Sequence, residues 1–253
     1  MRLLKFNKIK KNHLSLALVI LMVIFLNKSF VAAHTASTFV QHKWGGAGST
    51  VCYTFTAGFP TGVYRDRVND GAGRWNSTGM SKKPTNCTES DWANYDPFTC
   101  STVGYLKGIH WQPLTNEESD PNSAARFADG TVAVTPQCYM NGSTFEQICD
   151  PKLNGQAMRS TQIVFNSKMR FWTSHTNTPA DSNYVDLWST ATHEFGHFMG
   201  WCGHFRESDP NVCAEKGSSQ YINRETMCPK IYPGTSVQRS PNTHDTHTMD
   251  AAY

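Results

Sequence analysis

Apolar residues recur along this chain with two different periods, and the changes of period divide it into elements. Val51, Tyr53 and Phe55 alternate with other residues, so 50–55 is expected to form a strand. Pro60 breaks that run. Beyond it, Tyr64, Val68, Ala72 and Trp75 fall four, four and three residues apart, which is one helical stripe, with Thr61 as the expected cap. Residues 80–125 are rich in Asn, Ser, Pro and Asp and read as loops around one short strand, 104–111. Two more short strands are expected at 131–135 and 162–165. A second helix is expected to start between Ser182 and Asp186. Its stripe of Trp188, Thr192, Phe195 and Met199 lies roughly opposite His193 and His197, so one side meets the core and the other a cleft. Loops follow for about 40 residues beyond Gly200. A closing helix is expected over 244–253, its polar first turn on a cleft or solvent face and His244 and His247 on the surface.

The first residues follow a different logic. Arg2, Lys5, Lys8, Lys10 and Lys11 precede an apolar run from Leu14 to Leu26, and Val31-Ala32-Ala33 offers small residues for cleavage. That is the pattern of a secretion leader spanning 1–33. The run ends at Asn27-Lys28, short of the roughly 20 residues of a membrane span. Stable membrane association is therefore not expected after cleavage. The remaining stretch, 34–253, suits one domain.

Leader removal also reverses the charge. The chain holds 23 Lys plus Arg against 20 Asp plus Glu, and six of the basic residues but no acidic ones lie within 1–33. The mature part is 17 minus 20, or −3. The basic balance belongs to the leader and gives no support for a nucleic-acid partner. All eight cysteines (Cys52, Cys87, Cys100, Cys138, Cys149, Cys202, Cys213 and Cys228) follow the leader. An even count in an exported chain points to disulfides. Loop length favours Cys87–Cys100 and Cys138–Cys149, and Cys202 with Cys213 or Cys228 would staple the segment that follows the second helix. Asn76, Asn86 and Asn141 each open an Asn-x-Ser/Thr sequon.

The chemistry concentrates in His193-Glu194-Phe195-Gly196-His197. On a helix, residues four apart stand one turn apart on the same face, so two imidazoles can share one metal ion. Glu194 sits beside that face, where it can take a proton from a metal-held water. Gly200 follows, a residue able to end a helix in the left-handed conformation. The chain then turns through Trp201-Cys202-Gly203 to His204. Zinc needs a third protein ligand, and His204 is the nearest candidate, with His244, His247 and Asp209 as alternatives. Glu225-Thr226-Met227-Cys228-Pro229 reads as a tight turn carrying a methionine.

These motifs resemble the metzincin zinc endopeptidases, whose longer motif is H-E-x-x-H-x-x-G-x-x-H followed by a methionine turn. The length and the Met-Cys-Pro turn look closest to the matrixin-like branch. One departure stands out: the family pattern puts its third ligand where Gly203 stands here, one residue before His204. The resemblance implies an α+β fold in which a twisted, mostly parallel sheet with packed helices (34–200) lies above a zinc cleft and a small, loop-rich part (201–253) closes it from below. It implies a secreted metalloendopeptidase with one zinc ion on His193, His197 and His204, Glu194 as general base, and a protein or peptide substrate. That substrate would lie along an edge strand around 162–170. Met227 would pack beneath the metal, and Tyr232 is a candidate oxyanion partner. The family also allows structural calcium, although no ligand loop is legible. The short stretch before the first strand predicts neither a folded pro-domain nor an upstream thiol switch, and no accessory domain is expected after residue 253. Two other readings compete: a peptidase whose third ligand is Glu215 or Glu225, and a binding protein that kept the scaffold without catalysis.

Overall fold

The computed structural model describes residues 43–44, 50–87, 107–114, 130–141, 144–146, 157–177, 182–205, 209–210 and 212–253, all within the unit 35–253. The leader therefore lies outside the described residues. In chain order the strands are β1 (Lys43–Trp44), β2 (Thr50–Phe55), β3 (Lys83–Asn86), β4 (Gly108–Gln112), β5 (Ala133–Val134), β6 (Gln137–Asn141), β7 (Thr144–Glu146), β8 (Ala157–Thr161), β9 (Ile163–Asn166), β10 (Phe171–Trp172) and β11 (Val185–Asp186). Among the described residues the helices are α1 (Val63–Trp75), α2 (Leu187–Phe198) and α3 (Thr243–Ala252), with a short 3-10 turn at Tyr221–Asn223.

Five strands form the principal sheet in the spatial order β3-β2-β4-β9-β5. The first four run parallel, and β5 joins β9 antiparallel at one edge. A smaller sheet runs β1-β8-β6-β7, and β10 pairs with β11. The architecture is α+β with a mostly parallel sheet. Parallel strands need long crossovers, and α1 supplies the one from β2 to β3. β9 is buried at every position, as expected of a strand between two neighbours and covered by helix.

The predicted stripe on α1 is the face that packs: Val68, Ala72 and Trp75 are buried, with Tyr64 partly so. Helices α1 and α2 approach very closely at Gly71. A Cβ there would lie 2.6 Å from Ala191 Cβ and 2.7 Å from the Thr192 nitrogen. Trp75 Nε1 donates to Thr192 O at 2.7 Å, so the indole is anchored as well as buried. On the other side of α2, Phe195 meets Tyr53 with ring centroids 4.8 Å apart. Burying one such ring contributes roughly 2 kcal/mol. This apolar packing is what holds α2 in place beneath the sheet.

Several expectations need correction. Thr61 does not cap α1: Gly62 occupies the N-cap position at φ 65°, a left-handed conformation that suits glycine and provides no side-chain cap. The stretch 80–125 also contains β3, which alternation could not reveal in four residues with one proline. Cys87 bonds Cys52, not Cys100. β3 lies directly beside β2, with Cys87 N donating to Tyr53 O, so strand pairing overrides loop length. Cys213 bonds Cys228, and although Cys202 is also disulfide-bonded, neither of those two is its partner. The Cys138–Cys149 pairing lies outside the described side chains. Finally, residues 163–166 are not an edge: β9 is flanked by β4 and β5, and the edge beside the cleft is β5.

Candidate metal centre

Helix α2 is fixed at both ends by groups distant in sequence. At its start Asp186 is the N-cap, accepting from Ser189 N at 2.9 Å and from Ser189 Oγ at 2.7 Å. This satisfies one of the amide donors that every helix start leaves open. Arg239 then closes on the same carboxylate with Nε and Nη2, at 2.9 and 2.6 Å. A fork onto a buried carboxylate fixes direction as well as distance.

At its other end α2 stops at Gly200, whose φ of 107° lies in the left-handed region. Gly200 N donates to His197 O and Trp201 N to Gly196 O, the paired bonds of a Schellman motif. Side-chain donors also reach the carbonyls here: Trp44 Nε1 on Phe198 O, the Tyr253 hydroxyl on Met199 O, and Gln137 Nε2 on both Trp201 O and the already bonded His197 O. The backbone then makes a second left-handed step at Gly203, φ 81°. That extra residue brings His204, rather than residue 203, back over the helix.

His193, His197 and His204 converge. Their Nε2 atoms form a triangle with edges of 3.1, 3.2 and 3.2 Å. His193 Nδ1 lies 2.7 Å from Thr226 O, and His197 Nδ1 lies 2.8 Å from Trp201 O. A carbonyl only accepts, so both Nδ1 atoms carry hydrogen and both Nε2 atoms present lone pairs to one point. Lone pairs aimed together at that distance repel unless a cation lies between them. Burial holds all three rings unprotonated: His193 well below the ordinary imidazole range, His197 down to about 3 and His204 down to about 4. Their positions suit one metal ion. A tetrahedral ion with bonds of about 2.0–2.1 Å sets its nitrogens about 3.3 Å apart. The three imidazoles fit that requirement within two tenths of an ångström.

Met227 packs against α2 where the motif has Gly196. A Cβ at that glycine would overlap Met227 Sδ and lie 3.0 Å from the Trp75 ring. The methionine turn is held in turn by Asp245, which accepts from Thr226 N at 2.6 Å and Met227 N at 3.1 Å. Asp245 also forms the capping box of α3 with Asn242. The same carboxylate therefore starts α3 and fixes the carbonyl that orients His193. In the first turn of α3, Thr243 is exposed and His244 and Thr246 are half-buried, as expected of a solvent-facing turn, while Asp245 alone points inward and is fully buried.

The triangle faces a cleft of about 580 Å³. It is lined by the β5 segment, residues 130–135, and by residues 229–233, which include Tyr232. Glu194 lines the cleft, and burial pushes its carboxyl up to about 7 against the pull of a hydrogen bond from Thr135. Such a group can hold or release a proton near neutrality.

All three expected metal ligands meet at one point, and Glu194 lies in the same cleft. The alternatives do not join them. His244 pairs with Glu225 at 2.9 Å, His247 is exposed, and Asp209 and Glu215 are outside the cluster. Thr135, Gln137, Arg239 and Asp245 support the site without having been singled out from sequence. For Asp245, the Asn-x-x-Asp spacing before α3 was a usable capping signal. Among the described residues no helix is long and apolar enough to cross a membrane. Comparison with known proteins gives no matching family model and no matching curated sequence.

Proposed function

We propose that this chain is a secreted, zinc-dependent endopeptidase of metzincin type, nearest in pattern to the matrixin-like branch. The observation that carries the reading is the Nε2 triangle of His193, His197 and His204 opening onto a cleft that also holds Glu194. Imidazole donors, three in number with room left for a fourth, suit catalytic zinc better than calcium or magnesium, which take oxygen. The ion, when bound, supplies an activated water and polarises the scissile carbonyl.

The chain's own groups do the rest. Glu194 accepts a proton at a carboxylate oxygen and returns one to the leaving amine. Thr226 O and Trp201 O hold His193 and His197 in the tautomers that leave Nε2 unprotonated. An extended peptide adds along the outer edge of β5, whose other edge is paired with β9. Export is supported by the leader pattern and by disulfides at Cys52–Cys87 and Cys213–Cys228.

Purified protein is expected to bind one zinc ion and to cleave an unfolded protein substrate until a chelator is added. Glu194→Gln should retain zinc and lose activity by about 1,000-fold. Folded protein that takes up no zinc, or a Glu194→Gln variant as active as wild type, would falsify the proposal.

A further inference from the structure

Thr135 stands immediately after β5, on the wall of the cleft. Its hydroxyl lies 2.5 Å from Glu194 Oε2 and 3.4 Å from the Glu194 backbone carbonyl. The hydroxyl has one hydrogen to give, and the carboxylate oxygen is both the nearer and the stronger acceptor. Among the described residues no other group hydrogen-bonds that carboxylate. Glu194 would otherwise turn about three side-chain bonds beside a cleft. Thr135, by contrast, is β-branched and stiff at χ1. It also follows directly from a strand whose register is set by Ala133 opposite Phe165 and Val134 opposite Val164.

We infer that Thr135 is a positioning residue for Glu194, holding Oε2 so that the other carboxylate oxygen is the one presented for proton transfer. The inference rests on the endopeptidase reading and extends it. The segment that receives the substrate as an added strand also fixes the base. One rigid element therefore sets both the register of the scissile bond and the direction of the group that serves it. A base on α2 and a peptide on β5 need no separate alignment, because Thr135 links the two. Small misplacements of a reacting group cost large factors in rate, so the link matters to turnover more than to binding.

The test uses the zinc-loaded full-length protein and three forms: wild type, Thr135→Val and Thr135→Ser. Valine keeps the shape and removes the hydroxyl; serine keeps the hydroxyl. Thr135→Val should lower kcat about tenfold with KM within twofold of wild type and zinc content unchanged. Thr135→Ser should recover most of the lost kcat. A crystal structure of metal-free Thr135→Val should show the Glu194 carboxylate displaced or split between rotamers. A purely structural role would lower stability or zinc content and would not separate kcat from KM. An active wild type whose Thr135→Val variant keeps kcat within twofold overturns this inference alone, as does a loss that serine does not restore. A wild type that binds zinc yet cleaves no peptide overturns the endopeptidase reading and this inference with it.

Discussion

Two of the three converging imidazoles stand on α2, a regular helix packed on aromatic rings. The third comes from a segment without regular structure that buries polar and charged groups beside its apolar ones. Around α2 the interior is Tyr53, Trp75, Phe165, Phe195 and Phe198. Beyond Gly200 the buried set includes Arg224, Glu225, Thr226, Gln238 and Asp245. Arg224 donates to Ala214 O and Lys230 O and lies over the Tyr232 ring, so one guanidinium joins three stretches of loop. Both regions bury apolar side chains, and the second adds a network of directed bonds and the Cys213–Cys228 bridge. A helix needs only a packed face to present His193 and His197 correctly. A loop must have its backbone groups satisfied one by one before His204 arrives at the same point.

That contrast breaks most sharply where the regions are joined. Arg239 belongs to the loop-rich part yet clamps Asp186 at the start of α2. Arg239→Met strands a buried carboxylate and should cost about 3 kcal/mol in a denaturant titration. A loss under about 0.5 kcal/mol would mean that the helix stands without its partner region.

His204→Ala probes the loop alone. It should weaken zinc at least ~100-fold, read by competition with a chromophoric chelator, while the far-UV circular dichroism stays that of wild type. Unchanged zinc affinity would remove His204 from the site.

The smallest effect concerns the polar network itself. Burial raises the carboxyl of Asp245 well above its usual range, helped by the charge of Glu225, and burial raises Glu225 as well. A carboxyl raised on folding holds its proton better folded than unfolded. The stability linked to that proton is complete below the unfolded value near pH 4 and is lost as pH rises through the folded values. Glu225→Gln keeps an oxygen acceptor and removes one charge. Its unfolding midpoint should therefore fall less steeply than that of wild type between pH 5 and 8. Comparing the two profiles cancels the opposite contribution of the three depressed histidines, which strengthens the fold as pH rises. Parallel profiles would show that the pair carries no linkage.

The same division explains what the sequence revealed. Period-2 and period-3.6 patterns located β2, α1 and α2 because burial on one face leaves a repeating mark. The convergence of His193 and His197 was legible because residues four apart share a helix face, and that of His204 because glycines on either side of Trp201-Cys202 allow the chain to return. The short strands β3, β6 and β8 left no such mark, since pairing partners far along the chain decide them. Cys52–Cys87 was hidden for the same reason. The hydrogen bonds of Thr135, Gln137 and Arg239 depend on which segments meet, and no local rule encodes that.

The carbonyls at the end of α2 receive Trp44, Gln137 and Tyr253, and the first and last of these are 209 residues apart. Contacts of such span close late in folding, after local structure has formed. A growing chain therefore lacks the finished ligand geometry until its distal helix has docked.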